Sequence, residues 1–460
     1  MTIDTMTASA ESLRGLLGGR VALPGEPLYE SARLPWNRAV DQRPAAVAVP
    51  HSAEEIALVV RAARAAGLRV APQSTGHAAW TLASSPFDDV VLVSLAEFTG
   101  VTVDPAARTA RILGGTQWRE VVEAAAPHGL TAPHGSAGQV GVVGYTLNGG
   151  VSFYGRRHGL AVNGVRAVEL VDARGELVRA SNDENTDLYW AVRGGSGNFG
   201  VVTAVEIELL PYPDVYAGML LWPIEAAPTV VRAWIDWCGT APESAATSLR
   251  VMHLPPLPEL PPFLSGRSIV VIDGAVLEAD DDDAAATLAP LRSLAPELDT
   301  FGRMPSIALL DVHMDPTEPG ASVSAHSILD GADDAAIDAF LAASGRESGL
   351  SMAELRQLGG AFARSPLGGG ALSRVEGAFA VYALAVTPVP EAVAPGRAAA
   401  RALVDALAAR ARDGLAPTFA DDPDVERRRC FGERTERLAD AARRFDPEGR
   451  FVAGHPIPRD

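Results

Sequence analysis

Ala71-Pro72-Gln73-Ser74-Thr75-Gly76-His77-Ala78 carries a short apolar strand into a loop of small polar residues that closes on a histidine. Gln, Ser, Thr and Gly leave backbone N–H groups accessible, and Gly76 can take a positive φ. The loop therefore has the chemistry of an anion cradle suited to a pyrophosphate. An imidazole at its end is placed to be alkylated by an electrophilic carbon of the bound group. The preceding residues fix the setting. Ser52 and Glu55 have capping-box spacing ahead of Ile56, Val59, Val60 and Ala63, an apolar stripe of helical period that Gly67 stops. Strand, helix, strand and loop in that order read locally as α/β.

Working outward, residues 90–95 read as an apolar strand. Residues 101–103 and 109–113 alternate around Asp104-Pro105-Ala106-Ala107-Arg108 as a hairpin. Thr116 is expected to cap a helix whose Trp118, Val121, Val122 and Ala125 share one face, and Gly129 ends it. Then comes Gly135-Ser136-Ala137-Gly138-Gln139-Val140-Gly141-Val142-Val143-Gly144-Tyr145-Thr146-Leu147-Asn148-Gly149-Gly150. That glycine density is too high for an ordinary helix, since each interior glycine costs about 0.5–1 kcal/mol relative to alanine. The interleaved Val140, Val142, Val143 and Leu147 are equally unlike a solvated linker. Close approach of backbone to a flat, charged ligand accounts for both.

Residues 166–172 and 176–180 form another hairpin, and 182–191 a capped helix leading to Arg193-Gly194-Gly195-Ser196-Gly197-Asn198-Phe199-Gly200. Gly195, Gly197 and Gly200 spell a literal G-x-G-x-x-G. A dinucleotide fingerprint needs a strand before those glycines and a helix after them, whereas residues 201–210 alternate as a strand. No nicotinamide cofactor is expected.

Composition narrows the field further. The chain has 460 residues, 47% hydrophobic and 21% charged, enough for two or three units at roughly 150 residues per domain. Its net charge of −18 argues against a nucleic-acid partner. All basic side chains are arginine, and the missing lysine excludes Schiff-base chemistry, a pyridoxal phosphate anchor and a Walker-type loop. Cys238 and Cys430 stand in no metal spacing, and His253, His313 and His326 are scattered over different elements, so no metal site is expected. No window approaches the roughly 18 apolar residues of a membrane span. Residues 1–30 lack the basic start and apolar core of a signal peptide. The expectation is a cytoplasmic protein with no membrane partner; the oligomeric state is left open. Residues 1–40, a polar helix and loop leading to Pro35-Trp36-Asn37, carry no expected chemistry.

Past Tyr212 the pattern changes. Strands are expected at 217–221, 248–253, 269–275, 322–329, 352–358 and 379–386, helices at 229–237 and 334–343, and a proline-rich loop at 255–262. The acidic run 280–283 reads as a solvated helix start. These elements predict an antiparallel sheet with helices on one face. Residues 397–412 and 434–444 read as helices, with a turn at Asp446-Pro447-Glu448-Gly449.

Several of these blocks together resemble one family. They are Gln73 to His77, the Val140 to Gly150 stretch, Tyr154-Gly155-Arg156-Arg157-His158-Gly159-Leu160, Trp190 to Val202, and the C-terminal Arg437-Leu438, Phe445-Asp446-Pro447 and His455-Pro456-Ile457-Pro458. In order and nearly end to end, they resemble the berberine bridge enzyme-like group of the vanillyl-alcohol oxidase (PCMH-type FAD-binding) superfamily. The resemblance implies an α+β, two-domain fold. An FAD-binding domain spans 1–211 (from about 40), a substrate domain of antiparallel sheet covered by helices spans 212–412, and 413–460 returns to the FAD domain. It implies FAD linked covalently through His77, with Gln73, Ser74, Thr75, Gly76 and Ala78 as its pyrophosphate loop. Ser136, Ala137, Val140, Gly141, Val142, Gly144, Tyr145, Gly149 and Gly150 form a second loop, Gly200 and Val202 pass the adenine, and His455 lies near the ring.

Three departures stand out. Ala137 holds the place of a cysteine that gives many members a second flavin bond, so only the histidine link is available. Asn148 replaces the first glycine of a triplet and is expected to narrow the space near the ring. Ala416-Pro417-Thr418-Phe419 stands where a catalytic Tyr-x-Asn-Phe is usual, leaving Tyr145, Tyr382 and Glu354 as candidate bases.

The expected function is an FAD-dependent oxidase acting on a small organic molecule with O₂ as acceptor. A non-redox, flavin-containing cyclase and a cofactor-binding protein without turnover stay open beside it. Met352, Leu355, Phe379, Ala380 and Leu384 on the expected substrate strands suggest an apolar, neutral natural-product substrate.

Overall fold

The computed structural model describes residues 9–459 apart from 83–85, 259–260 and 262. Parts of the expected loop at 255–262 and of the N-terminal helix therefore lie outside the described residues.

Helix Ala53–Ala65 forms because Ser52 Oγ accepts the Glu55 N–H at 3.2 Å and the Glu55 carboxylate accepts the His51 N–H at 2.6 Å. Ile56, Val59, Val60 and Ala63 bury its inner face, and Gly67 at φ 73° ends it. It packs beside a four-stranded sheet ordered Val21–Ala22, Ala46–Ala48, Val90–Ser94, Arg69–Gln73, whose last three strands are parallel. Val90–Ser94 is buried along its whole length, as parallel strands covered on both faces are. The C-terminal tail closes this sheet: Val70 N–H donates to Arg450 O at 2.8 Å and Val452 N–H to Val70 O at 2.9 Å. A second sheet of five antiparallel strands follows, ordered Val101–Asp104, Thr109–Leu113, Val201–Glu208, Val165–Val171, Leu177–Ser181. The α/β reading therefore holds only around the first helix, and the whole is α+β.

The largest sheet has eight strands. Seven run Leu298–Asp299, Asp214–Pro223, Ser268–Val276, Ala245–His253, Met352–Gln357, Phe379–Val386, Ser322–Leu329, and Gly302–Pro305 also pairs with Asp214–Pro223. Helices Ala227–Cys238, Asp281–Arg292, Asp334–Ala343 and Val393–Ala406 cover one face, burying Leu249, Ile272, Leu355, Phe379 and Val381 with Trp234 and Phe340. Side chains alternate along a strand, so the residues between these apolar ones point the other way. Among the described residues no helix is long and apolar enough to cross a membrane.

Several local expectations are corrected. Thr116 is not the helix cap: its hydroxyl donates to Gly100 O at 3.2 Å, and Gln117 precedes helix Trp118–Ala125 with its N–H held by Glu120 at 2.9 Å. The glycine stretch does contain a helix, Val142–Leu147, because only Gly144 falls inside it. Helix Thr186–Gly195 starts later than expected, after Asn185 in the left-handed region, and Val393–Ala406 is shifted towards the N-terminus of the expected 397–412. Gly200 also serves packing, since a Cβ there would lie 2.4 Å from Val171 O. Gly200→Ala is expected to cost about 1–3 kcal/mol of stability in urea unfolding while leaving the flavin content of the folded protein unchanged.

Candidate functional site

Strand Arg69–Gln73 delivers the first loop, in which residues 74–77 are half-buried and Ala78 is exposed. Gly76 takes φ 76°, and a Cβ there would lie 2.6 Å from Pro35 Cβ. The preceding segment braces the loop, with Trp36 N–H donating to Thr75 O at 2.8 Å and the Trp36 ring stacked on the His77 imidazole at 4.4 Å. Residues 35–37, from which no chemistry was expected, thus fix the histidine's plane. Thr75 Oγ1 lies 2.7 Å from His77 Nδ1. Burial pulls His77 down to about 4, with Asp315 opposing, so its imidazole is neutral at neutral pH. Among the described residues, the N–H groups of Thr75, Gly76, His77 and Ala78 meet no acceptor.

The second loop faces the first. The N–H groups of Ser136, Ala137, Gly138 and Gln139 likewise meet no described acceptor. Gly141 brings the loops together, since a Cβ on it would sit 2.5 Å from Ser74 Oγ. Gly149 and Gly150 take φ 105° and 71°, and Gly150 leaves room for the Tyr145 ring. The Tyr145 hydroxyl is buried without a partner, and burial pushes its ionisation up. Asn148 folds back on its own helix, Nδ2 donating to Gly144 O at 2.8 Å, instead of reaching across the cleft. Two opposed runs of free N–H groups, a neutral histidine and an orphaned phenol fit a bound FAD.

The other face of the large sheet packs on Phe153, Tyr154, Leu309 and Val312, and its charged residues are buried. Register sets Arg250 opposite Glu354, Glu354 opposite Tyr382, and Tyr382 opposite His326. Of the apolar residues expected there, Leu355 and Phe379 belong to the helix-covered face, whereas Met352, Ala380 and Leu384 share the face of Glu354 and Tyr382 and flank a polar row. Arg356 Nε donates to Glu354 at 2.7 Å, and Arg356 also approaches His313 Nε2 at 3.3 Å. His313 Nδ1 lies 3.1 Å from Asp273, which also pairs with Arg250 and accepts from Ser248 Oγ at 2.6 Å. Of the histidines that look scattered in sequence, His313 and His326 meet this face, whereas His253 lies on the helix-covered one, its Nε2 2.8 Å from Ser344 O. Among the described residues no cluster could hold a metal.

His326 is fully occupied: Nδ1–H donates to Val381 O at 2.8 Å, and Nε2 accepts the Ala416 N–H at 3.1 Å. Burial holds it down to about 4, so it is a neutral anchor for residues 416–419. Phe419 packs its ring on both His326 and Tyr382. Beyond it lies Asp421, which sequence reasoning missed, its carboxylate 3.5 Å from Ser324 Oγ and raised by burial to about 7. Asp315 was missed too: it accepts from Ser136 Oγ at 2.7 Å and its charge reaches His77, Arg356 and Tyr382. His455 is buried, with Nδ1 at 3.3 Å from Arg427, and its carbonyl accepts from Asn198 at 2.8 Å. Val202 is buried in the core beside the second sheet. The G-x-G-x-x-G lies between a helix and a strand, outside any dinucleotide-binding context.

The FAD binding domain family matches residues 44–181. (R)-6-Hydroxynicotine oxidase of Paenarthrobacter nicotinovorans is 36% identical over 205 residues, 44% of this chain and 44% of that protein. An FAD-dependent monooxygenase of Penicillium roqueforti is 31% identical over 229 residues, 49% and 45% of the two chains. The matched segment thus spans less than half the length of these curated relatives. Over whole chains, 6-hydroxy-D-nicotine oxidase from Arthrobacter nicotinovorans superposes with a TM-score of 0.80 at 25% identity, covering 96% of this chain and 97% of that one. Physcomitrella patens BBE-like 1 does so at 0.84 and 21% identity, covering 100% of both. The chain carries an FAD-binding domain and has the berberine bridge enzyme-like oxidase fold, as the motifs implied.

Proposed function

We propose that this chain is an FAD-dependent oxidase that removes hydride from a small organic substrate, with FAD attached through His77 alone and O₂ as electron acceptor, working in the cytoplasm. The observation that carries the reading is the pair of neighbouring loops, 75–78 and 136–139, with their unpaired N–H groups and the neutral His77 on the first of them. Bound FAD supplies the two-electron acceptor. The loop amides hold its pyrophosphate, and Ala137 leaves no thiol for a second bond.

The polar row on the sheet receives the substrate. Its groups favour a molecule with a hydroxyl or amine to orient, a revision of the apolar preference. Tyr382 stands centrally in that row, between Glu354 and His326, and is the group assigned here to the proton of the substrate's own O–H or N–H. Glu354 is committed to Arg356, which removes it from the candidates. Tyr382→Phe is expected to slow anaerobic flavin reduction by the order of 10²-fold or more that loss of a general base costs, with flavin still bound.

The test of the whole reading is optical. A screen of amines, alcohols and oligosaccharides under argon is expected to find compounds that bleach the flavin, and air is expected to restore the colour. Product formed without any bleaching would instead mean the non-redox cyclase.

A further inference from the structure

Arg356 keeps part of its hydrogen-bonding capacity in reserve. Its Nε–H is taken by Glu354 at 2.7 Å and its Nη2 by His313 Nε2 at 3.3 Å, whereas Nη1 meets no acceptor among the described residues. A guanidinium presents its N–H donors in a rigid plane, so fixing Nε and Nη2 also fixes where the Nη1 donors point. Arg250 differs: it pairs with Asp273 and donates through Nη1 to His313 O at 2.8 Å. The Arg356 side chain is buried, with 9% of its surface left open. A donor in such a place costs free energy unless something accepts from it.

The open side lies where the sheet meets the second loop. The guanidinium carbon stands 5.5 Å from the centre of the Phe153 ring, just past Gly150, and 5.3 Å from that of Phe419. His313, which holds Nη2, belongs to a stretch tied to that loop on either side. Asp311 accepts from Arg119 Nη2 at 2.6 Å, with Arg119 N–H on Gly138 O, and Asp315 accepts from Ser136 Oγ at 2.7 Å. Phe419 in turn packs on Tyr382 at 5.7 Å. Strand Phe379–Val386 has a neighbour on each side, yet its Tyr382 and Leu384 are only half-buried, as is Phe419. Accessible side chains on an interior strand mean that the face opens onto a cavity there.

We propose that Arg356 is a specificity-determining residue whose Nη1 donates to a carbonyl oxygen of the substrate, carried on a flat ring that packs against Phe153 and Phe419. The proposal rests on the oxidase reading for calling the ligand a substrate, and it adds to that reading a second oxygen besides the group assigned to Tyr382. Charge decides between a neutral and an anionic partner. Glu354 and Asp273 already neutralise Arg356 and Arg250, so a carboxylate arriving there would lose its hydration with no net positive charge to replace it. A carbonyl oxygen needs only the donor and has no hydrogen of its own to satisfy. The two rings add apolar and stacking contact for an aromatic frame.

Acetophenone, toluene and benzoate share a ring and differ at the oxygen. None is an alcohol or an amine, so their binding is read without turnover, from the shift of the flavin absorption bands of the holoenzyme. Acetophenone is expected to bind about tenfold or more tighter than toluene, the effect of a hydrogen bond to a charged donor, and benzoate no tighter than acetophenone. Arg356→Lys keeps a positive charge beside Glu354, but its single nitrogen stays with that carboxylate. The fold and the flavin are therefore expected to remain, and acetophenone to fall to the level of toluene. Arg356→Met combined with Glu354→Gln removes the charge together with its partner and is expected to give the same loss. Acetophenone binding no better than toluene in the wild type, no band shift with any of the three, or an acetophenone advantage that survives in both variants would overturn the assignment. Benzoate as the tightest of the three would overturn the neutral class. A flavin that alcohols, amines and oligosaccharides never bleach would sink the oxidase reading instead, whatever these affinities are.

Discussion

Acid precipitation of the purified holoenzyme is expected to carry all of the flavin into the pellet, and the His77→Ala variant to leave all of it in the supernatant. The expectation follows from the state of the imidazole. A nucleophilic nitrogen needs a free lone pair, and burial holds His77 to about 4, so nearly every molecule at neutral pH has one. Thr75 Oγ1 at 2.7 Å and the stacked Trp36 ring fix both the in-plane direction and the tilt of the ring, which is what a single covalent geometry requires. Peptide mapping should find one flavin-bearing peptide, containing His77. Cys238 and Cys430 offer no rival: burial raises both thiols, the former well above its ordinary value and the latter to about 11. Flavin extracted intact from the wild type, or a second modified peptide, would refute the single link.

The first loop was legible in the sequence because its chemistry is local. Small residues, one glycine at positive φ and a histidine within eight positions announce an anion cradle whatever surrounds them. The helix-covered sheet was legible for a similar reason, since apolar periodicity reports which side of an element is buried. The cleft face was not. That Arg250, Glu354, Tyr382 and His326 form one row is a matter of cross-strand register, which no single strand encodes. A partial signal was present in Met352-Ala353-Glu354-Leu355-Arg356-Gln357. Strict alternation puts Glu354 and Leu355 on opposite faces, so grouping Leu355 with the cleft contradicted the strand's own period. Trp36 and Asp315 gave no signal at all. Each lies in an irregular segment, and its role appears only when distant chain is brought against it.

Asp273→Asn is expected to destabilise the protein by about 3–5 kcal/mol, the cost of stripping one partner from a buried ion pair. Asp273 is fully buried, paired with an equally buried Arg250 and contacted by His313 and Ser248. An asparagine keeps the shape but leaves the Arg250 guanidinium uncompensated in a medium of low polarity. Although burial alone would raise the Asp273 carboxyl, Arg250 and His313 hold it below the ordinary carboxylate range. A carboxyl depressed on folding contributes stability that is complete above its unfolded value, about 3.9, and is lost as pH falls through the lower folded value. The gap between wild type and variant in urea midpoint should therefore be constant from neutral pH down to about 4 and shrink below it, as the wild-type carboxyl itself becomes neutral. Pairing Asp273→Leu with Arg250→Met should recover much of the loss, because the cost lies in the orphaned charge more than in the missing pair. A double variant as unstable as the sum of its singles would show instead that the cluster stabilises by its own attraction.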